Sequence, residues 1–217
     1  MESDNLRTIR EDYDRLAEQY AIHIAGELQH KPLDRELLER FAAQVRGRGQ
    51  VCDMGCGPGH VARYLHNAGV NIFGLDLSPG MLEQARKLNP GIRFREGNML
   101  ALDLPNASLA GIAAFYAIVN LPKDWLPVVF QEMLRVLQPH GLLLLAFHIG
   151  DQVLQEEQLW GVRISMSFLL FELTEIQRIL TQAGLLLEET VVRDPYPEVE
   201  YPSRRAYIFA RKNSPTE

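Results

Sequence analysis

Apolar positions along this chain first recur at helical spacing and then fall into short runs. Leu6, Ile9, Tyr13, Leu16, Ala17, Tyr20 and Ile24 step by three and four residues and predict a helix over 6–25. Leu37, Leu38, Phe41, Ala42 and Val45 predict a second helix over 33–45, closed by Arg46-Gly47-Arg48-Gly49. From residue 50 strand and helix alternate. Strands are expected at 50–54, 70–75, 92–96, 109–115, 142–149, 185–192 and 205–211. Helices are expected at 59–67, at 79–88 behind an N-cap Ser78 and Pro79, and up to about Leu137 from Asp124 or Pro127. Thr174-Glu175-Ile176-Gln177 reads as a capping box for a last helix to Ala183.

Residues 150–173 break that rhythm. Acidic residues (Asp151, Glu156, Glu157) give way to bulky apolar ones (Trp160, Ile164, Met166, Phe168, Phe171), more than a solvated connection requires. A substrate lid or an oligomer contact would account for them. The connection 194–204 is long for a hairpin, and 212–217 reads as a frayed tail. Buried strands alternating with helices imply a doubly wound, mostly parallel sheet, with ligands outside the strands' carboxyl ends. That edge gathers the glycine-rich turn at 55–59, Asp76, 97–100, 115–120, 148–171 and 194–204.

Composition narrows the class only slightly. The 217 residues suit a single domain, and the formal charge of -6 argues against a nucleic-acid surface. The two cysteines, Cys52 and Cys56, read as reduced structural thiols; without partner histidines they make a poor metal site, so no metal is expected. The N-terminus lacks a signal-peptide pattern and the longest apolar run is far short of a membrane span, so a cytoplasmic protein is expected.

The most informative stretch is Val51-Cys52-Asp53-Met54-Gly55-Cys56-Gly57-Pro58-Gly59. A dinucleotide turn needs G-x-G-x-x-G, whereas here the spacing is G-x-G-x-G and His60 takes the third glycine's place. Pro58 removes an N–H that phosphate could use, and Asp53 would repel phosphate. The turn suits a ligand with a cationic end and no phosphate. Its nine residues resemble the first motif of the class I S-adenosylmethionine-dependent methyltransferases, in the small single-domain bacterial branch. Asp76 before Ser78-Pro79-Gly80-Met81 resembles that family's ribose-binding acid and the loop behind it. Arg135–Gly141 is similar to its turn before the fifth strand, and Tyr13–Ala17 with Tyr20-Ala21 to its N-terminal helix.

The resemblance implies one methyltransferase domain over 1–217, with a helical cap (1–46) and a lid (150–173) on an α/β, Rossmann-like doubly wound sheet. About seven strands are expected, mostly parallel with the last antiparallel, and helices on both faces. The implied cofactor is S-adenosyl-L-methionine, with S-adenosyl-L-homocysteine as product. Tyr20, Gly55, Cys56 and Gly57 would border it, with Asp76, Leu77 and Met81 around the ribose. Asn98, Met99, Leu100 and Phe115 would surround the adenine. There the side chain at 98 would accept from the exocyclic amine, and the 99–100 backbone would read the ring edge. Asp53 either contacts the ammonium of the methionine part or ties turn N–H groups together. Three positions depart from the pattern: Asn98 where an acid is usual, Ala110 where aspartate is common, and Asn120 where many relatives have histidine.

Direct displacement at a sulfonium methyl draws its rate from proximity and needs a base only for an acidic acceptor proton. His148 is the candidate base, or else a hydrogen-bonded strand-end residue. Tyr13, Tyr116 and Tyr201 are candidate acceptor contacts, the first two equally readable as core packing. Arg204 or Arg205 either holds an acceptor carboxylate or phosphate or pairs with Glu198 or Glu200. No amino-base DNA methyltransferase sequence follows the fourth strand, so a small-molecule acceptor on a monomer or homodimer is expected. A catalytically silent S-adenosylmethionine-binding protein is the alternative; an NAD-dependent oxidoreductase would need phosphate contacts that the turn lacks.

Overall fold

The β-branched and leucine-rich runs do form a sheet, whose central strands place apolar side chains on both faces and are buried on both. The computed structural model describes residues 4–213. In it β1 (Gln50–Met54), β2 (Ile72–Asp76), β3 (Arg93–Glu96), β4 (Leu109–Phe115) and β5 (Leu137–His148) run parallel. Two C-terminal strands complete the sheet, β8 (Leu185–Arg193) and β9 (Arg205–Lys212), with β9 antiparallel to both β5 and β8. The order β3-β2-β1-β4-β5-β9-β8 makes seven strands among the described residues. The Rossmann-like expectation, including the antiparallel last strand, is met.

Alternation along β5 divides the core in two. Leu142, Leu144 and Ala146 pack with Leu37, Phe41, Val61 and Leu82 of α2 (Pro32–Val45), α3 (His60–Asn67) and α4 (Pro79–Leu88). Leu143, Leu145 and Phe147 pack with Phe130, Met133 and Ile179 of α5 (Leu126–Val136) and α6 (Leu173–Ala183). The glycine in β4 is explained by packing: a Cβ at Gly111 would lie 2.8 Å from Val45 and 2.9 Å from Phe41, so it admits α2 against the sheet.

Four expectations change. β5 begins at Leu137 rather than Leu142, because the Gln138–Gly141 break is absorbed as a register shift: Leu109 pairs with Leu137 and Gly111 with Leu142. The capping box at Thr174 does not form; α6 starts at Leu173 with Glu172 at its N-cap and no side-chain cap bond. Segment 150–173 contains a hairpin, β6 (Val153–Leu159) and β7 (Val162–Leu169), closed by the left-handed pair Trp160-Gly161. Lys212, the first residue of the expected tail, ends β9 instead, and its ammonium donates to Leu134 O (2.7 Å) and Leu137 O (2.6 Å). Residues 214–217 of that expected tail, like Met1–Ser3 of the N-terminal signal-peptide reading, lie outside the described residues.

Helix α1 (Asp4–Ile24) packs on α4 and the hairpin and is pinned by two acids, the exposed Asp14 and the buried Asp12. Asp14 accepts from Ser78 Oγ (2.6 Å) and Gly80 N (2.8 Å) at the start of α4. Asp12 accepts from Ser165 N of β7 (2.9 Å). Leu16 packs with Ile164 and Met166 beneath. No helix among the described residues is long and apolar enough to cross a membrane.

The turn from β1 into α3 is held from behind. Asp53, 1% exposed, accepts from Ala62 N at 2.8 Å, so it ties the strand end to the first turn of the helix. Burial pushes its carboxyl up to about 7, against the pull of His60 and the Ala62 N–H. Gly59, at φ +80, is the N-cap of α3; a Cβ there would lie 2.7 Å from Phe94 and 2.9 Å from Asn89 Nδ2. That Asn89 amide cannot retreat, since it donates to Pro58 O and Ala85 O.

Gly59→Ala is therefore expected to destabilise the fold by about 2–4 kcal/mol, read as a lower urea midpoint. An unchanged midpoint would mean the turn relaxes freely. Asp53 gives a second expectation with a definite sign. Its folded pKa lies above the unfolded value, so the native state holds the proton more tightly and stability falls as pH rises from about 4 to about 7. Asp53→Asn keeps an acceptor for Ala62 and removes that loss. The variant should gain about 1–4 kcal/mol on wild type between pH 5 and pH 8 in urea titrations; a difference independent of pH would take the titration away from Asp53.

Candidate active site

At the carboxyl ends of β1, β2, β4 and β5 lies a cavity of about 370 Å³, roofed by α1 and by Trp160 and Phe168 of the hairpin. Its floor is the glycine turn. Gly55 N and Cys56 N both donate to Leu75 O (2.8 and 3.0 Å), which turns the backbone sharply off β1. Gly57 N donates to Asp76 Oδ2 (2.8 Å), and Ser78 N to Asp76 Oδ1 (2.9 Å). A Cβ at Gly57 would come within 3.7 Å of the Tyr20 ring, so bare backbone faces the cavity there. Burial raises the Asp76 carboxyl, while the N–H groups of Ser78, Gly57 and Leu77 oppose the shift. Two of its roughly four lone-pair positions are thereby used, and the rest are available to donors in the cavity.

On one flank Gly97, Asn98 and Met99 line the wall with Leu77 and Met81. Asn98 Oδ1 accepts from Leu100 N (2.9 Å), closing an Asx turn. This corrects the expected adenine contacts: Leu100 N–H is already engaged and Leu100 is not a lining residue. Asn98 and Met99 remain.

The opposite flank is charged. Lys31 Nζ lies 2.7 Å from Glu27 Oε2 and 3.2 Å from Glu200 Oε1. Glu27 Oε1 is 3.1 Å from His60 Nε2. Burial raises the Glu27 carboxyl, but His60 and Lys31 outweigh it and bring it to about 2. Glu200 is also held at about 2: burial is overcome by Arg193, the Tyr196 N–H, Lys31 and Arg205. Arg193 bridges Glu200 (2.6 and 2.9 Å) to Asp34 (2.9 Å), and Tyr207 donates to Asp34 (2.8 Å).

Beyond these, Tyr116 stands at the end of β4 in the left-handed region (φ 54), its hydroxyl 3.2 Å from that of Tyr207. The His148 ring is 4.8 Å from the Tyr116 ring, and its Nδ1 is 2.8 Å from Ser203 Oγ. Burial, with Arg205 and Lys31 nearby, pushes His148 down to about 4, so its imidazole is neutral at physiological pH. Tyr13 donates to Asn120 Oδ1 (2.5 Å), and Asn120 donates to Ser167 O of the hairpin (2.9 Å). Burial drives the hydroxyls of Tyr13, Tyr20 and Tyr116 well above the ordinary tyrosine range.

Most residues singled out from the sequence thus share one cavity: Tyr13, Tyr20, Gly55, Cys56, Gly57, Asp76, Leu77, Met81, Asn98, Met99, Phe115, Tyr116, His148 and Tyr201. Three do not. Asp53 sits behind the turn on Ala62, which is the turn-tying arrangement. Leu100 is turned into the Asx loop. Arg204 is exposed and pairs with Asp194 at 3.4 Å; its neighbour Arg205 is the buried one, 3.2 Å from Glu200. Sequence reasoning gave no role to Glu27 and Lys31, although a Glu-x-x-x-Lys pair directly after the first helix was available as a signal. The hairpin tip was equally unreadable: Trp160 stacks on His23 (4.5 Å between centroids) and meets Tyr20 edge-on.

Comparison with known proteins agrees with this geometry. A family model described as a methyltransferase domain matches residues 51–141. A malonyl-[acyl-carrier protein] O-methyltransferase of Pectobacterium atrosepticum is 34% identical over 133 residues, covering 59% of this chain and 51% of that protein. A trans-aconitate 2-methyltransferase of Methylobacterium nodulans is 37% identical over 117 residues, covering 50% of this chain and 41% of that one. The chain spans about half the length of the curated relatives it matches. A crystal structure of a SAM-dependent methyltransferase from Methanosarcina mazei superposes with a TM-score of 0.69 at 15% identity, over 76% of this chain and 92% of that one. With the glycine turn, Asp76 and the strand order in place, residues 51–141 form a methyltransferase domain, carried on the fold of S-adenosylmethionine-dependent methyltransferases.

Proposed function

We propose that the protein transfers a methyl group from S-adenosylmethionine to a carboxylate oxygen of a small organic acid, free or carried as a thioester. The observation that carries this reading is the state of the titratable groups around the acceptor end of the cavity. Each is fixed in a form that takes up no proton at neutral pH. His148 is held near 4, Glu27 and Glu200 near 2, and the tyrosine hydroxyls are held protonated. An acceptor that must lose a proton on reaction has no base to receive it; a carboxylate is already the nucleophile. Malonyl and trans-aconitate, the groups that the two relatives are named for, both carry carboxylates.

The residues present fit the cofactor. Gly57 leaves backbone bare to the cavity, and Asp76 keeps lone pairs there for the two ribose hydroxyls. Asn98 and Met99, both in the cavity wall, would hold the adenine. When bound, the cofactor supplies a sulfonium methyl whose C–S bond breaks, its electron pair staying on sulfur, as the acceptor oxygen forms the new C–O bond. Tyr13, Asn120 and Tyr116 shape the acceptor end, and neutral His148 orients the acceptor by hydrogen bonding instead of serving as a base. The whole chain works as one domain in which the first helices are the cap and the 153–169 hairpin is the lid, excluding water from the site.

Calorimetry with S-adenosylhomocysteine should show micromolar binding, and Asp76→Ala should weaken it by about 1–3 kcal/mol. No binding to wild type would sink the reading. With labelled methyl donor and a panel of di- and tricarboxylic acids and their thioesters, the product should be a methyl ester that releases methanol in alkali. Alkali-stable label would point to N-, S- or C-methylation, and cofactor binding without turnover across the panel to a catalytically silent protein. On a carboxylic acid, kcat/KM should be flat from about pH 6 to about pH 9, because His148 is neutral throughout. A limb rising near neutrality would restore a general base.

A further inference from the structure

The turn suits a ligand with a charged amino-acid end, and of the two roles open to Asp53 it takes the turn-tying one, facing Ala62 behind the turn. We propose that Glu27, with Lys31 and His60 beside it, is the receptor for the amino-acid end of the cofactor: Glu27 takes the ammonium, and Lys31 with His60 the carboxylate. The proposal rests on the methyltransferase reading above and adds which residues of this chain recognise the zwitterion.

An α-amino acid presents an ammonium and a carboxylate a few ångström apart, so its receptor needs an accessible anion and cation at similar separation. The cavity's charged lining residues can be taken in turn. Asp76 is committed to the backbone of Gly57 and Ser78 at the end of β2. Glu200 is 1% exposed and is shared by Arg193, Arg205, Lys31 and the Tyr196 N–H. Arg205 is 2% exposed, and its guanidinium donates to Tyr201 O and Ser203 O. Glu200 and Arg205 are thus engaged with one another and with neighbouring backbone, and Asp76 serves the ribose end of the cavity.

Glu27 and Lys31 differ in both exposure and place. The Glu27 side chain keeps 17% of its surface and Lys31 keeps 7%. Glu27 is bonded to His60, the residue directly after the glycine turn, and its charge acts on Tyr20, whose ring stands 3.7 Å from the Gly57 Cβ position. That places the acid over the turn on the side away from Asn98 and Met99, where the amino-acid end must lie if the adenine is between them. His60 Nδ1 is buried without a hydrogen-bond partner, which leaves a ring nitrogen free beside Glu27. Lys31 lies over the Tyr116 ring at 5.5 Å, so it reaches from the turn toward the acceptor end.

The test compares S-adenosylhomocysteine with methylthioadenosine, which has the same nucleoside and sulfur but no amino-acid end. In calorimetry wild type should bind the first at least about 100-fold more tightly. Glu27→Gln should weaken S-adenosylhomocysteine about 10- to 100-fold while leaving methylthioadenosine within a small factor. Lys31→Gln should split the two ligands in the same direction. Binding of methylthioadenosine also reports that each variant is folded. Equal losses for both ligands, or no loss for either, would overturn the proposal. Should neither variant fold, the wild-type ratio decides: near-equal affinities overturn it. If wild type binds neither ligand, the methyltransferase reading itself fails, which is a separate result.

Discussion

The hydrogen bond from Gly57 N to the Asp76 carboxylate is the contact on which the site depends. It joins the turn after β1 to the end of β2, two strands that are neighbours in the sheet but are separated by α3 in the chain. The turn must rise off β1 steeply enough to present that N–H, which it does by giving both Gly55 and Cys56 N–H groups to Leu75 O. At Gly55 only glycine fits, since a Cβ there would lie 2.7 Å from that of Ala117. On its other oxygen Asp76 takes Ser78 N, and Ser78 in turn caps α4 through Met81 N and donates to Asp14 of α1. One carboxylate thus aligns a strand end, a glycine turn, a helix start and the helix that roofs the cavity.

The same dependence explains why so much was legible in the residue order. The glycine spacing, Asp76 and Ser78-Pro79 are local signals: each acts within a few residues of itself, so the chain reveals them directly. The parallel sheet was legible for a related reason, since strands buried on both faces must be apolar throughout, as Leu142–Phe147 is. What was missed depends on distant partners. β6 is largely solvent-facing and carries Gln155, Glu156, Glu157 and Gln158 in succession, so it shows no alternation to mark a strand. The choice between Arg204 and Arg205 turns on which one reaches Glu200 through the folded 194–204 connection, and alternation alone leaves the two equivalent. Leu100 invited an adenine contact, and its N–H is spent instead on Asn98 Oδ1 inside the loop.

Charge placement shows how far position can depart from sequence proximity. Asp53 is two residues from the first glycine yet contributes nothing to the cavity wall; its position in β1 directs it under α3. Glu27 is some thirty residues away from that turn in sequence and closes over it, because α1 crosses the sheet edge and the 3₁₀ turn at Glu27–His30 returns the chain toward α3. The energetic consequences run the same way. A buried carboxylate with a single backbone partner is pushed toward neutrality, as Asp53 is, whereas one clasped by Lys31 and His60 remains an anion despite burial.

The wider network has a balance that bears on the acceptor. Lys31, Arg193 and Arg205 face Glu27, Asp34 and Glu200, so three cations meet three anions behind the acceptor end. Desolvating such a set is tolerable only while it stays paired, because removing one partner leaves an uncompensated buried charge. Burial, more than the network, keeps His148 and Tyr116 uncharged, with Arg205 and Lys31 adding to the effect on His148 and Asp34 to that on Tyr116. If the acceptor is a carboxylate, as proposed, a cationic donor and an anionic acceptor would combine into neutral groups beside this paired network, so that the charges behind the cavity need not rearrange during transfer.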